Sequence, residues 1–420
     1  MSEIDDKILG MEAEKGRWVL VILGMIINLC LGSVYAWSVF VGPLTDYFTK
    51  SLGQIVTASE ILIPFSVFLA FFAIAMPFTG KYIEKYGPRN ITIVGGCLTG
   101  LGWLLSSFAG SVQGLYLFYG VLAGVGVGIA YGVPIAVSAR WFPDRRGLAV
   151  GLTVLGFGFS AVLTANIAGF LIGASGVMNT FRVFGIAFII LIVVLALPLK
   201  FPQAGWKPAG WTPPAPTPGR AVTCEHTREQ MLKTSTFYAL WGCYFIGCLA
   251  GLMAIGIAKP VGVDVGVEAG LATMLVGAFA VFNGFGRPVF GTLTDKLTPR
   301  NTAILSFVLI APASLLIWQM PTVPIYILTF VILWGCLGGW LAIAPTATAS
   351  YFGTCDYPRC YGLMFLAYGA GGIAGPQLAG FIKTTTGSYL GVFPYVVGLA
   401  VIGIIIAFAL LKPPQAPHQT

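Results

Sequence analysis

Arg287 is the residue whose position most demands a chemical reason. It stands in FNGFGRPVFG, Phe282 to Gly291, inside an apolar run that reads as a membrane span near 271–294. The run ends seven residues further on, which puts the side chain roughly 10 Å deep at ~1.5 Å per residue. An arginine at the centre of a bilayer costs about 2.5–3.5 kcal/mol on insertion scales. All fifteen Asp and Glu residues fall in loops, tails or span ends, Glu60 being the deepest. None can neutralise the charge from within a span. Snorkelling relieves part of the cost, and backbone carbonyls could satisfy a purely structural arginine. The stronger reading is a site waiting for an anion, because a guanidinium fork meets a carboxylate through two parallel hydrogen bonds. Asn283 lies four residues earlier, on the same helical face. It reads either as glue between helices or as a partner for the arginine or for a ligand hydroxyl or carbonyl.

The elements that must position these groups follow from composition. Of 420 residues, 57% are hydrophobic and only 9% charged, against about a quarter charged in soluble proteins. A water-soluble fold is excluded. Apolar runs of spanning length occur near 18–41, 61–79, 91–109, 115–139, 148–172 and 182–200. A second set occurs near 237–258, 271–294, 302–320, 323–345, 361–382 and 389–411. The expected fold is an all-α membrane protein of twelve transmembrane helices in two six-helix bundles, 1–200 and 236–420. The segment 201–235 between them contains Pro202, Pro208, Pro213, Pro214, Pro216 and Pro218. Proline lacks a backbone donor and breaks helices, so this reads as an extended cytoplasmic tether, with a short surface helix around Arg228–Lys233 as a further option. The polar first seventeen residues do not resemble a cleavable signal peptide.

Loop charge sets orientation. With the N-terminus inside, eighteen Lys and Arg fall on the inner side. Only Lys50, Arg182, Lys259 and Lys383 fall outside, so both termini are expected in the cytoplasm. The net charge of +8 is a topology signal and implies no nucleic-acid partner. Of the eight cysteines, Cys30, Cys97, Cys243, Cys248 and Cys336 sit in apolar runs. Cys224, Cys355 and Cys360 are expected in reducing cytoplasmic loops, without the paired spacing of a zinc site. Gly124, Gly126 and Gly128 mimic a nucleotide fingerprint but follow no strand; close helix packing explains them. Without a nucleotide loop, a metal cluster or a catalytic constellation, the chain does not read as an enzyme, and no cofactor is expected beyond a coupling proton.

An internal repeat supports the two-halved plan. GKYIEKYGPR (Gly80 to Arg89) and GTLTDKLTPR (Gly291 to Arg300) lie 211 residues apart. Both carry Gly, an acid–Lys pair and Pro-Arg at matching offsets. Trp141-Phe142 and Tyr351-Phe352, each upstream of a Gly-Leu pair, form a second echo. Such repeats underlie the two halves of major facilitator transporters, and the first loop resembles that superfamily's loop signature. The resemblance implies a gate: Gly80 would let helices approach, Glu84 would pair with a basic residue or a helix end, and Lys85 and Arg89 would hold the loop inside. Asp295, Lys296 and Arg300 are their counterparts.

FNGFGRPVFG resembles the eighth helix of the monocarboxylate porter family, which includes proton-coupled lactate and pyruvate carriers and the oxalate:formate exchangers. ARWFPDRRGLAVGL (Ala139 to Leu152) resembles the signature leading into the fifth helix, and VYAWSVFVGPL (Val34 to Leu44) is similar to the exchangers. By that resemblance Tyr35, Tyr131, Phe157, Phe365 and Tyr368 line the cavity. Phe365 and Tyr368 are three apart on one helical face, and Asn28 and Tyr35 seven apart, also on one face. Departures narrow the substrate. In the oxalate exchangers a Lys on helix eleven helps bind the dianion; here Tyr368 holds that place, and one cation suits one carboxylate. The lactate carriers have a Lys on helix one and an Asp one turn before the arginine; here Tyr35–Val39 has no Lys, and Asn283 replaces the Asp. Neither His226 nor His418 lies in a span. The substrate acid itself would then carry the proton.

The sequence therefore points to a proton-coupled carrier of small monocarboxylates in a bacterial-type cytoplasmic membrane, working as a monomer among membrane lipids. Carboxylate exchange is the first alternative and a non-transporting sensor the second.

Overall fold

Short polar residues set where the helices begin. In the computed structural model, which describes residues 7–203, 206–211, 226–353 and 357–414, Thr57 and Glu60 form a reciprocal cap. The Thr57 hydroxyl accepts the Glu60 amide at 3.3 Å, and the Glu60 carboxylate accepts the Thr57 amide at 2.7 Å. The deepest acid of the sequence is thus a helix-start residue, as a capping box requires. Glu268 likewise accepts the amides of Gly270 and Leu271 at 2.8 and 2.9 Å.

Twelve long helices result. α1 (13–52) contains a tighter 3₁₀ turn, Gly32–Ala36, between Ala13–Leu31 and Ser38–Leu52. α2 (58–86) and α3 (88–106) are two arms of one run broken at Gly87. α4 is Val112–Trp141, α5 Arg146–Ser175 and α6 Val177–Ala196. After the linker come α7 (Ser235–Asp264), α8 (Ala269–Leu297), α9 (Pro299–Gln319), α10 (Val323–Phe352), α11 (Tyr357–Thr386) and α12 (Tyr389–Leu410). Among the described residues ten stretches are long and apolar enough to cross a membrane by length and composition; α3 and α11 are the two remaining long helices. The observed helices outrun the apolar runs at polar ends. The first continues to Leu52 rather than stopping near 41, and the sixth spans 177–196 rather than 182–200. Cys360, expected in a loop, lies buried in the first turn of α11. Cys224, Cys355 and His418 lie outside the described residues, as do Pro213, Pro214, Pro216 and Pro218 of the linker. The described part of the linker carries the one-turn helix Arg228–Met231, capped by Thr227.

The repeat seen in the sequence is also a repeat of backbone geometry. Gly87 has φ 78°, ψ 161° and Thr298 φ 78°, ψ 153°, each just before the Pro-Arg pair that opens the next helix. The second aromatic echo meets the linker at both ends. Trp141 Nε1 donates to the Lys200 carbonyl at 2.7 Å, and the His226 amide donates to the Phe352 carbonyl at 2.9 Å. At Gly80 an added Cβ would meet nothing within 4 Å, and at its counterpart Gly291 only the Ala342 Cβ at 3.7 Å. The close approach expected at Gly80 is absent, and the residue is exposed on α2. At Gly124 and Gly128, by contrast, a Cβ would come within 2.6 and 2.7 Å of the Phe68 and Phe72 carbonyls of α2. The glycine run is therefore a packing surface.

The two halves meet along α2 with α11 and α5 with α8. A Cβ on Gly369 would lie 2.6 Å from that of Ala73, and one on Gly158 would lie 2.9 Å from the Gly284 Cα. Near the start of α1, Arg17 ties that helix to the loop entering α5. Its nitrogens donate to the Asp144 carboxylate at 2.7 and 3.1 Å and to the Trp141 carbonyl at 3.2 Å, and its guanidinium sits 4.4 Å from the centre of the Phe142 ring. Partial burial would raise the Asp144 carboxyl, but the hydrogen bonds and charge of Arg17 outweigh it and hold it below the usual carboxylate value.

Two stability tests follow from this geometry. Thr298 occupies a backbone region that is essentially glycine's, at a cost of about 1–3 kcal/mol. Thr298→Gly is expected to raise the melting temperature in detergent, and Gly87→Ala to lower it; equal melting of either variant and the wild type would contradict the strain. A carboxylate lowered by folding stabilises fully above its unfolded value near ~3.9 and loses that contribution as the pH falls through the folded value. Asp144→Asn should therefore melt earlier than wild type at pH 7, with the gap closing as the pH falls below about 4.

Candidate functional site

Arg287 lies ten residues before the end of α8 at Leu297, about 15 Å along the helix. The side chain is 7% exposed. Among the described residues no carboxylate pairs with it. Nη1 donates to the Val154 carbonyl of α5 at 3.0 Å, and Nη2 stands 3.5 Å from Asn283 Oδ1, at the outer limit of a hydrogen bond. Nε is buried without a partner. The guanidinium centre lies 6.0 Å from the Phe157 ring centroid, where the ring face attracts a cation. A buried cation held by one good neutral acceptor retains donors for an anion.

Close backbone approach makes this arrangement possible. Gly158 and Gly284 let α5 and α8 touch, and a Cβ on Gly158 would stand 3.2 Å from Asn283 Oδ1. On the other side of α8, a Cβ on Gly338 would collide with the Asn283 carbonyl. There the Asn283 amide donates to the Trp334 carbonyl of α10 at 3.0 Å. Both sequence readings of Asn283 are therefore realised: its nitrogen joins two helices, and its oxygen faces the arginine.

Aromatic rings surround the arginine. Phe157 packs edge-on against Tyr35 at 5.1 Å and against Tyr131 at 5.0 Å between centroids. Phe365 stacks on Tyr368 at 4.9 Å. The Tyr35 and Tyr368 hydroxyls share a buried hydrogen bond of 3.1 Å, joining α1 to α11 across the two halves. Tyr35, Tyr131, Phe157, Phe365 and Tyr368 are thus brought together. Asn28 and Tyr35 both meet α5: the Asn28 side-chain amide donates to the Thr153 carbonyl at 3.1 Å, and Tyr35 packs on Phe157 one turn further along. Asn28 thus stays beside the backbone that holds Arg287 and ties α1 to α5.

Sequence reading missed three participants. Phe72 of α2 is the hub, with ring centroids 5.3 Å from Tyr131, 5.8 Å from Phe157, 5.5 Å from Phe365 and 5.7 Å from Tyr368. Its helical spacing from Phe65 and Phe68 was a signal for an inward face. Trp334 borders Tyr35 at 6.3 Å. The Val154 carbonyl, as backbone, has no signature in residue type.

The charged residues of the two repeated loops are deployed unequally. Glu84 pairs with Arg140 of α4, whose guanidinium lies 3.9 Å from the Phe201 ring centroid. The Lys85 ammonium stands 5.1 Å from the Tyr86 ring, and Arg89 is exposed at the start of α3. In the second half Asp295 and Lys296 are exposed at the end of α8, and Arg300 lies 4.8 Å from the Phe408 ring of α12. Among the described residues Asp295 makes no ion pair.

Against known proteins, residues 22–258 and 240–420 match the profile of the Major Facilitator Superfamily. The oxalate:formate antiporter of Oxalobacter formigenes is 30% identical over 379 residues, covering 88% of this chain and 86% of its own. Human monocarboxylate transporter 11 is 25% identical over 390 residues, covering 90% and 79%. The crystal structure of a D-xylose–proton symporter superimposes with a TM-score of 0.71 at 13% identity, covering 95% and 98% of the two chains. At that identity the likeness is one of fold.

Proposed function

The chain belongs to the major facilitator superfamily, and on that premise we propose that it is a secondary transporter of small monocarboxylates of the lactate and pyruvate class. The observation that carries this reading is the single buried guanidinium at the contact between α5 and α8, with a free nitrogen and no carboxylate partner among the described residues. A substrate carboxylate would exchange the neutral Val154 acceptor for a charged one, and a charge-assisted hydrogen bond is about twice as strong as a neutral one. Asn283 would orient the neighbouring oxygen. Tyr35, Tyr131, Phe157, Phe365 and Tyr368, with Phe72 behind them, would form an apolar wall around a short carbon chain. Asn28 supports the wall through α5.

The bundles at 1–200 and 236–420 would rock about this point and open it alternately to each side. The Gly80–Arg89 and Gly291–Arg300 loops, with Glu84, Lys85, Asp295, Lys296 and Arg300, would act as the inner gate. In this reading both termini and the linker face the cytoplasm, the membrane is the bacterial-type cytoplasmic one, and the monomer is the working unit. With Tyr368 in place of a second cation, a dianion such as oxalate would bury an uncompensated charge. A proton crossing with the carboxylate needs no further carrier group. Exchange of one carboxylate for another is the second reading, favoured by 30% identity with an oxalate:formate antiporter.

Each charged hydrogen bond contributes about 1.5–3 kcal/mol, and ~1.4 kcal/mol is tenfold in affinity. Lactate or pyruvate uptake by Arg287→Ala and Arg287→Lys proteoliposomes is therefore expected to fall by at least about tenfold at sub-saturating substrate. Wild-type uptake by Arg287→Ala would refute the role of this residue. Vesicles without internal anion separate the two mechanisms: an inward acid gradient drives accumulation in symport, whereas exchange requires a carboxylate inside.

A further inference from the structure

On the side away from the chain termini, the two halves meet along the beginning of α2 and the end of α11. A Cβ on Gly380 would stand 2.7 Å from the Ser59 Cα, and one on Gly372 would stand 2.7 Å from the Leu69 Cβ. The next contact inward, Gly369 against Ala73, borders the ring cluster, where Phe72 and Tyr368 have centroids 5.7 Å apart. On the same side α5 touches α8, and a Cβ on Gly169 would lie 2.8 Å from the Thr273 Cγ2. These contacts stand between that side and Arg287.

One polar bond crosses the α2–α11 seam amid the apolar contacts. Gln377 Nε2 donates to Ser66 Oγ at 3.1 Å, and Ser66 is 3% exposed. At the α5–α8 seam Asn166 does not play this part, because its amide goes to the Val162 carbonyl of its own helix. Glycine, alanine and leucine surfaces attract wherever they fit, whereas a hydrogen bond has a narrow geometry. While the seam is shut, an amide deprived of its acceptor costs more than the bond itself contributes. When the halves part there, water meets both groups and that cost disappears. The bond therefore favours the shut arrangement. Being neutral on both sides, it also releases without stripping water from, or returning it to, a buried charge.

We propose that the Gln377–Ser66 bond is a latch that holds the transporter shut on the side away from its termini. Its strength sets part of the balance between the two arrangements of the halves. This rests on the rocking of the halves and not on which substrate Arg287 binds.

Exposure of the seam to water tests the latch. Leu69→Cys places a thiol at the Gly372 contact, about one turn inward from Ser66. The purified full-length protein, without substrate, is treated with a water-soluble maleimide, and labelling at position 69 is followed by peptide mass spectrometry. Adding Ser66→Ala should speed that labelling about three- to tenfold. Gln377→Asn, which keeps the amide but shortens its reach, should act in the same direction and carries the test should Ser66→Ala fail to fold. Ser66→Ala with Gln377→Leu removes both polar partners and should return the rate toward that of Leu69→Cys alone. An unchanged rate in both single variants overturns the proposal. So does a paired variant labelled as fast as Ser66→Ala, because lost packing and not an unpaired amide would then open the seam. No carboxylate is present in the measurement, so its outcome and that of the Arg287 uptake test stand or fall separately.

Discussion

A charge inside a bilayer must be compensated within a few ångströms, and at Arg287 this chain compensates it incompletely. One guanidinium nitrogen meets the Val154 carbonyl and a second stands at long range from Asn283. The third has no partner. A structural arginine would be expected to have its donors satisfied, since an unmet buried donor costs free energy that folding must recover elsewhere. The arrangement makes physical sense as a ground state that a carboxylate completes.

That constraint reaches outward through backbone contact. The acceptor for Arg287 is a carbonyl of the other half, and it is in range only because Gly158 and Gly284 allow α5 and α8 to touch. The Tyr35–Tyr368 bond also crosses the two halves, on α1 and α11. Together with the Gln377–Ser66 bond of 3.1 Å between α11 and α2, these hydrogen bonds cross the contact between the halves. A ligand that competes for any of them acts directly on the contact between halves. Alternating access needs that kind of coupling: a differential interaction with two arrangements of the same elements.

The aromatic wall limits what can occupy the space. Phe72 touches four of the five rings named from the sequence. Truncating it would therefore loosen the whole lining rather than one contact. Two of the wall's tyrosine hydroxyls bond each other, and ring faces make up most of the rest.

Much of this was written in the residues. The bilayer's demand for uninterrupted apolar runs made the helices legible, and the loop charges and the Gly80–Arg89 repeat made the two halves legible. Arg287 stood out because no acid in any span could neutralise it. Five aromatic residues were named by resemblance, and in the structure their rings pack together. Other features depended on three-dimensional approach. Asn28 gives its side-chain amide to the Thr153 carbonyl of α5, a partner that residue spacing could not name. Gly80 proved exposed while Gly158, unremarked in sequence, carries the critical contact. Arg17 looked like a topology signal but is bound to Asp144. The sequence determined which groups are too costly to leave alone in a membrane. Only tertiary structure decided what each one meets, because a backbone carbonyl carries no residue identity and comes within range only when two helices touch.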